Sequence, residues 1–188
     1  MPPPNLLILL SDQHNRRVLG CSGDPLARTP ALDRLAAEGL RFERAYCPAP
    51  LCVPSRMSFL SSRLPSANRV WTNAHSLDSA IPTWPQALGQ AGYETTLIGR
   101  MHFIGPDQHH GFHEHRLGEL ETRWERIPRV ACGQSGASVR IAGTGSSAYD
   151  WYDEQVADST CAFLEERAGA PHAAPFAAVA GFLLPHSP

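Results

Sequence analysis

The segment Leu51-Cys52-Val53-Pro54-Ser55-Arg56 concentrates more chemistry than any other stretch of the chain. Proline suits the first turn of a helix, where its missing N–H costs nothing, so Cys52 falls at a helix mouth. Free N–H groups and the helix dipole favour a bound anion at such a mouth. Arg56, one turn along, adds a fixed positive charge. Most free cysteines are small buried hydrophobes. Average composition, however, places Pro, Ser and Arg at these offsets only about once in several thousand cysteines. A cysteine phosphatase is excluded, because its anion loop is longer than the three residues between Cys52 and Arg56. Groups suited to holding a hard cation or moving a proton stand elsewhere: Asp12 and Gln13, Arg100 and His102, and His186.

Three strands must deliver those groups. Residues 5–10 are a short continuous apolar run that reads as a fully buried strand ending at Ser11-Asp12-Gln13. Residues 93–98 are rich in β-formers and run into Gly99-Arg100-Met101-His102, and residues 176–184 read as a last buried strand before Pro185-His186. Helices separate them. Thr29-Pro30 opens one, with Thr29 as its cap, a stripe of Leu32, Leu35 and Ala36, and Gly39 as its stop. A second starts at Pro54 and carries Met57 and Leu60. A third covers residues 83–91, where Thr83 and Gln86 have capping-box spacing and Gly92 is the stop. The longest spans residues 150–168, with Tyr152, Val156, Phe163 and Leu164 on its buried side. Residues 40–45 partly alternate and read as an exposed strand, and residues 132–147, rich in Gly and Ser, as a mobile loop. Buried strands alternating with helices predict an α/β fold with a mainly parallel sheet flanked by helices. Ligands of such sheets collect beyond the carboxyl ends of the strands, where Asp12, Arg100 and His186 all fall.

Composition sets the outer bounds. The 188 residues suffice for one domain, and 16 basic residues, every one an arginine, against 18 acidic ones give a net charge of −2. That balance excludes a general nucleic-acid binder. Leu6 to Leu10 falls far short of the ~20 apolar residues a membrane span needs, and the amino terminus lacks the charged region of a signal peptide. The expectation is a soluble cytoplasmic protein with no nucleic-acid or membrane partner. Cys21, Cys47, Cys52, Cys132 and Cys161 are odd in number and form no CxxC pair, so neither a disulfide framework nor a zinc knuckle is expected. Apart from Cys52 they read as structural. His109, His110, His113 and His115 lack zinc-ligand spacing and read as a solvated rim of the substrate cleft. Trp71 and Asn73 are expected to line the pocket.

Cys52-Val53-Pro54-Ser55-Arg56 resembles the signature of the sulfatase family, in which the cysteine is oxidised after translation to formylglycine. Further segments match in order. Pro4-Asn5 with Asp12-Gln13 resembles the family's amino-terminal metal-binding strand, and Thr29 to Ala36 its first helix. Gly92-Tyr93-Glu94-Thr95 resembles the strand before its second cluster. Gly99-Arg100-Met101-His102-Phe103 with Gly105-Pro106-Asp107-Gln108 and Gly111-Phe112 looks most like bacterial choline-sulfatase-like members, and Phe182 to Pro188 resembles the Pro-His-x-Pro turn.

The resemblance implies an alkaline-phosphatase-like fold and hydrolysis of a small organic sulfate ester, choline sulfate first. It implies a formylglycine at Cys52 made by a separate maturation enzyme. It also implies a Ca²⁺ ion, with Mg²⁺ as the alternative, held by Asp12, Gln13 and the modified Cys52. Arg56 would hold the hydrated aldehyde. Arg100, where many sulfatases have lysine, would bind sulfate. His102 would stand near the nucleophile and His186 on the leaving-group side. A phosphonate monoester or phosphodiester hydrolase of the same superfamily, which shares the Cys-x-Pro-x-Arg signature, is the alternative reading. A non-catalytic fragment is another. Whole sulfatases are longer, so residues 1–188 read as the amino-terminal part of a catalytic domain, incomplete at the carboxy terminus. By that resemblance, later acidic metal ligands and a carboxy-terminal subdomain would be expected beyond these residues. The expectations that follow are weak metal binding, little turnover, and apolar surface exposed around the last helix and strand.

Overall fold

A computed structural model describes residues 3–120, 145–170 and 174–186. Strands β1 (Leu6–Leu10), β2 (Glu94–Gly99), β3 (Glu114–Arg116) and β4 (Phe176–Gly181) form one sheet in the order β1-β4-β2-β3, all pairs parallel. The helices are α1 (Pro30–Glu38), α2 (Cys52–Ser61), α3 (Pro65–Asn68), α4 (Trp84–Gln90) and α5 (Ala148–Ala168). The expected parallel α/β sheet is therefore present.

Side chains alternate across a strand, and the sheet uses both faces. Leu97 and Val179 point to one side, where they pack with Val53, Met57 and Leu60 of α2. Ile98, Ala178 and Ala180 point to the other, against Tyr152, Val156 and Phe163 of α5. The result is a three-layer arrangement with β4 and β2 at its centre. Glycine is obligatory where those two strands end. A Cβ on Gly181 would lie 2.0 Å from the carbonyl oxygen of Arg100, so its absence lets the exits of β2 and β4 touch.

Local signals hold at several helix ends. The expected capping box of Thr83 and Gln86 is present, with the Thr83 amide donating to Gln86 Oε1 at 3.0 Å. Ser147 caps α5 by accepting from the amides of Tyr149 and Asp150, so this helix starts slightly before its expected first residue. At α1 the helix forms as expected but Thr29 does not cap it. Its hydroxyl instead accepts from Gly20 N at 2.9 Å and donates to Asp33 Oδ1 at 3.0 Å.

Other expectations fail for identifiable reasons. Strand β1 is not fully buried: among the described residues it is an edge strand paired only with β4, and Leu9 is 54% exposed. An apolar run signals a strand without saying whether it is central. Residues 40–45 form no strand; Leu40 and Phe42 lie exposed on irregular backbone without a neighbouring strand among the described residues. Exposed apolar side chains include those of β1, α1 and residues 40–46 as well as Leu26, Leu64 and Trp71, whereas β4 is buried throughout. Strand β3, with its polar Glu-His-Arg sequence, was not foreseen. The last strand stops at Gly181 rather than continuing to residue 184. Residues 132–144 and Cys132 lie outside the described residues. Among the described residues, no helix is long and apolar enough to cross a membrane.

Candidate active site

Helix α2 begins at Cys52 after Leu51, which is extended. The amide of Val53 is taken by Asn73 Oδ1 at 3.0 Å, so a side chain twenty residues away caps this helix. Pro54 has no N–H to satisfy. Cys52 thereby sits, half-buried, on the wall of a cavity of about 540 Å³. The same wall carries Asp12, Gln13 and His14 from the end of β1, Arg56 from α2, and His186 from beyond β4. One ligand atom each from Asp12, Cys52 and His186 lie within 4.8 Å of one another.

Arg56 ties these parts together. It is only 5% exposed, a burial that arginine tolerates when paired. Its Nη2 donates to Asp12 Oδ2 at 3.2 Å and its Nη1 to the Arg100 carbonyl at 2.8 Å, so α2 is bolted to the exits of both β1 and β2. Arg100 is buried as well. Its Nε lies 4.0 Å from both Asp12 Oδ2 and Glu119 Oε2, and its Nη2 is 2.8 Å from His102 Nδ1. Two buried arginines and two buried carboxylates thus sum to zero formal charge, which is what allows the group to be buried at all.

The turn after β2 is strained and clamped. His102 has φ +58°, a left-handed conformation unfavourable for a side chain with a Cβ, costing roughly 1 kcal/mol. Glu119 Oε1 accepts from the successive amides of Met101, at 2.9 Å, and His102. A second, half-buried carboxylate does similar work beyond β4. Asp153 on α5 accepts from the amides of Leu183 at 2.7 Å and Leu184 at 2.9 Å, shaping the turn that presents His186. Burial pushes the Asp153 carboxyl above its ordinary value, against the pull of those two amides.

The sequence-derived candidates therefore separate into two groups. Asp12, Gln13, Cys52, Arg56 and His186 meet at the cavity. Arg100 and His102 stand behind its wall and reach it through Asp12 and Arg56. Asn73 lines the cavity as expected, whereas Trp71 is exposed outside it. Cys47, read as structural, also faces the cavity; its Sγ donates to the Ala49 carbonyl at 2.9 Å. The histidine cluster is a solvated rim only in part, since His109 and His113 are exposed and the other two are not. His110 is 2% exposed, and His115 sits between the carbonyls of Gln108, at 3.2 Å, and Gly99, at 3.0 Å. His115 pins the loop between β2 and β3 by bonding to backbone and His110 by pairing with the Asp107 carboxylate at 3.3 Å, uses that spacing does not reveal. Glu119 and Asp153 were missed, and in sequence each is one carboxylate among 18 acidic residues with no motif around it.

The sulfatase family model matches residues 4–188. The chain belongs to the sulfatase family. A choline-sulfatase of Rhizobium meliloti (strain 1021) is 45% identical over 111 residues, which are 59% of this chain and 22% of that protein. A sulfatase-fold protein solved in complex with its substrate D-glucosamine-2-N,6-O-disulfate superimposes with a TM-score of 0.71 at 27% identity, over 97% of this chain and 35% of its own. The phosphonate monoester hydrolase of Agrobacterium radiobacter shares the fold, with a TM-score of 0.71 at 21% identity over 98% of this chain and 41% of that one. The chain thus spans about a fifth to two fifths of the length of these sulfatase-fold relatives.

Proposed function

We propose that this chain is the nucleophile-bearing part of a sulfuric ester hydrolase acting on a small organic sulfate ester. One observation carries the reading: Cys52, at the mouth of α2, faces a cavity that it shares with Asp12, Arg56 and His186. The 45% identity to a choline-sulfatase supports choline sulfate as the first substrate to test.

The donor set around Asp12 fits a hard divalent cation. A carboxylate oxygen, the amide oxygen of Gln13 and an oxygen at residue 52 form the kind of shell that Ca²⁺, or Mg²⁺, prefers. Asp12 Oδ2 is engaged by Arg56, which leaves Oδ1 to the cation. Bound there, the ion would lower the pKa of a hydroxyl on residue 52 and neutralise charge on the transferring group. Oxidised to formylglycine by a maturation enzyme and hydrated, residue 52 would supply one hydroxyl to attack sulfur and a second whose deprotonation expels sulfate. Arg56 orients that hydrated side chain and offsets the negative charge of the ester oxygens. His186, a nitrogen donor that a hard cation has little use for, would protonate the departing alcohol oxygen. Arg100 supports from behind. Its guanidinium can steady Asp12, but it holds its proton too tightly to act as an acid.

The same tetrahedral oxyanion pocket suits a phosphonate ester. The decisive experiment assays the whole protein, matured at residue 52, side by side on choline sulfate, an aryl sulfate and a phosphonate monoester. Sulfate-ester turnover that is abolished in Cys52→Ala, together with an aldehyde at residue 52 by peptide mass spectrometry, is the expected result. Dominant phosphonate turnover would overturn the substrate class, and activity untouched by Cys52→Ala would overturn the mechanism. No turnover of either ester by the matured protein would make the chain non-catalytic.

A further inference from the structure

We propose that Glu119 is a positioning residue that, through Arg100, locks His102 as a neutral imidazole with its single proton on Nε2. The argument starts from donors and acceptors. Arg100 Nη2 lies 2.8 Å from His102 Nδ1. A guanidinium carries only donors, so Nδ1 has to accept. A ring that accepts at Nδ1 carries its proton on Nε2 and is not an imidazolium, because a second N–H would face the guanidinium at this distance. The tautomer is thus fixed by where Arg100 is held.

Glu119 holds it from two directions. Its Oε1 receives the amides of Met101 and His102, which fixes the left-handed turn that folds the His102 ring back toward Arg100. Its Oε2 lies 4.0 Å from Arg100 Nε and keeps the guanidinium on that side of the turn. Asp12 Oδ2, also 4.0 Å from Nε, shares the guanidinium from the cavity side. All three side chains are buried or half-buried, so water competes poorly for these bonds. One buried carboxylate therefore fixes the backbone of the turn, the arginine beside it and, through the arginine, the proton of the histidine. On the proposed function, this makes His102 a neutral Nε2–H donor rather than a base at that nitrogen. The tautomer itself does not depend on that reading.

The test uses the 188-residue chain labelled with ¹⁵N at histidine, read through the long-range couplings of the imidazole ring at neutral pH. The wild-type chain is expected to show a pyridine-like Nδ1 and a pyrrole-like Nε2 at His102. The reverse pattern, or two pyrrole-like nitrogens, overturns the proposal, and this reading needs no variant to fold. Glu119→Gln keeps an oxygen for the two amides but removes the charge that holds Arg100. It is expected to shift His102 Nδ1 toward the pyrrole-like value. Glu94→Gln, which removes an exposed carboxylate from its pairing with Arg167, is expected to leave His102 unmoved. A folded Glu119→Gln chain with an unchanged Nδ1 signal overturns the role of Glu119. Because none of these signals is an activity, a failure here and a failure of the hydrolase reading are told apart.

Discussion

Replacing Arg56 by methionine would expose how the site is held together. Methionine fills much of the same volume and adds no charge. The substitution deletes the bond to Asp12 Oδ2 at 3.2 Å and the bond to the Arg100 carbonyl at 2.8 Å. Breaking a buried pair by removing one partner costs about 3–5 kcal/mol, because the other charge is left stranded. Here Arg100 Nε, 4.0 Å from the same carboxylate oxygen, partly compensates, so the lower end applies. At about 2–4 °C per kcal/mol for a chain of this size, the melting temperature should fall by roughly 6–12 °C. The cause can be isolated by a double-mutant cycle with Asp12→Asn. Removing the stranded carboxylate should return about 2 kcal/mol of what Arg56→Met lost. Thermal unfolding by circular dichroism, at low and high salt and without divalent cations, supplies the numbers. Salt should matter little, since a buried pair is poorly screened. A fall within about 2 °C, or single-variant losses that add to within about 0.5 kcal/mol, would refute the claim that Arg56 and Asp12 act as one buried unit.

Three further outcomes are expected. Gly181→Ala puts a methyl group 2.0 Å from the Arg100 carbonyl oxygen, where only backbone can yield; it should cost about 1–3 kcal/mol or more and shift the amide signals of residues 100–102 in a heteronuclear spectrum. Burial pushes the His110 imidazole below its ordinary 6.5, with Asp107 opposing. The unfolded chain then takes up the proton first. Stability is full above about pH 6.5 and falls on acidification by at most ~1.4 kcal/mol per pH unit, a slope that His110→Gln should flatten in melting curves from pH 7.5 to 5. A slope unchanged in that variant would place the titration elsewhere. Calcium should raise the melting temperature only at about millimolar concentration, since the donor set holds a single carboxylate. That increment should vanish in Asp12→Asn and on adding EGTA, and an increment surviving Asp12→Asn would move the cation off Asp12.

What the sequence reveals here follows from the range of the forces involved. The parallel sheet was legible because β1, β2 and β4 carry apolar runs that end in polar residues, which the polar β3 does not, and α4 because its cap is written three residues apart. Cys52, Arg56 and Asp12 were legible because a helix mouth and a strand end put reactive groups in local contexts with their own signals. Glu119 was not. Its work is done across seventeen or eighteen residues, on backbone amides that every residue possesses. The histidine cluster misled in part for a related reason: in a Gly- and Pro-containing loop all four rings look solvated, yet His115 meets two backbone carbonyls and His110 is buried against Asp107, while His109 and His113 are exposed. Burial of β1 failed because the same five residues serve an edge or a centre equally well, and only the neighbouring strands decide.

The buried quartet also links the site's two expected ligands. Asp12 and Glu119 balance Arg56 and Arg100, so without ligands the cavity wall is close to neutral. A cation on Asp12 would consume that carboxylate's charge and leave the two guanidinium groups in electrostatic excess. The excess is relieved by an oxyanion, which Arg56 can reach from the cavity wall. Cation and sulfate ester should therefore tighten each other's binding, because each removes the imbalance that the other creates. A site built on a carboxylate without its arginines would bind the cation alone. One built on the arginines without Asp12 would face the cost of one uncompensated buried charge, since Glu119 balances only one of them, which is why α2 and the exits of β1 and β2 have to be fastened to one another before either ligand arrives.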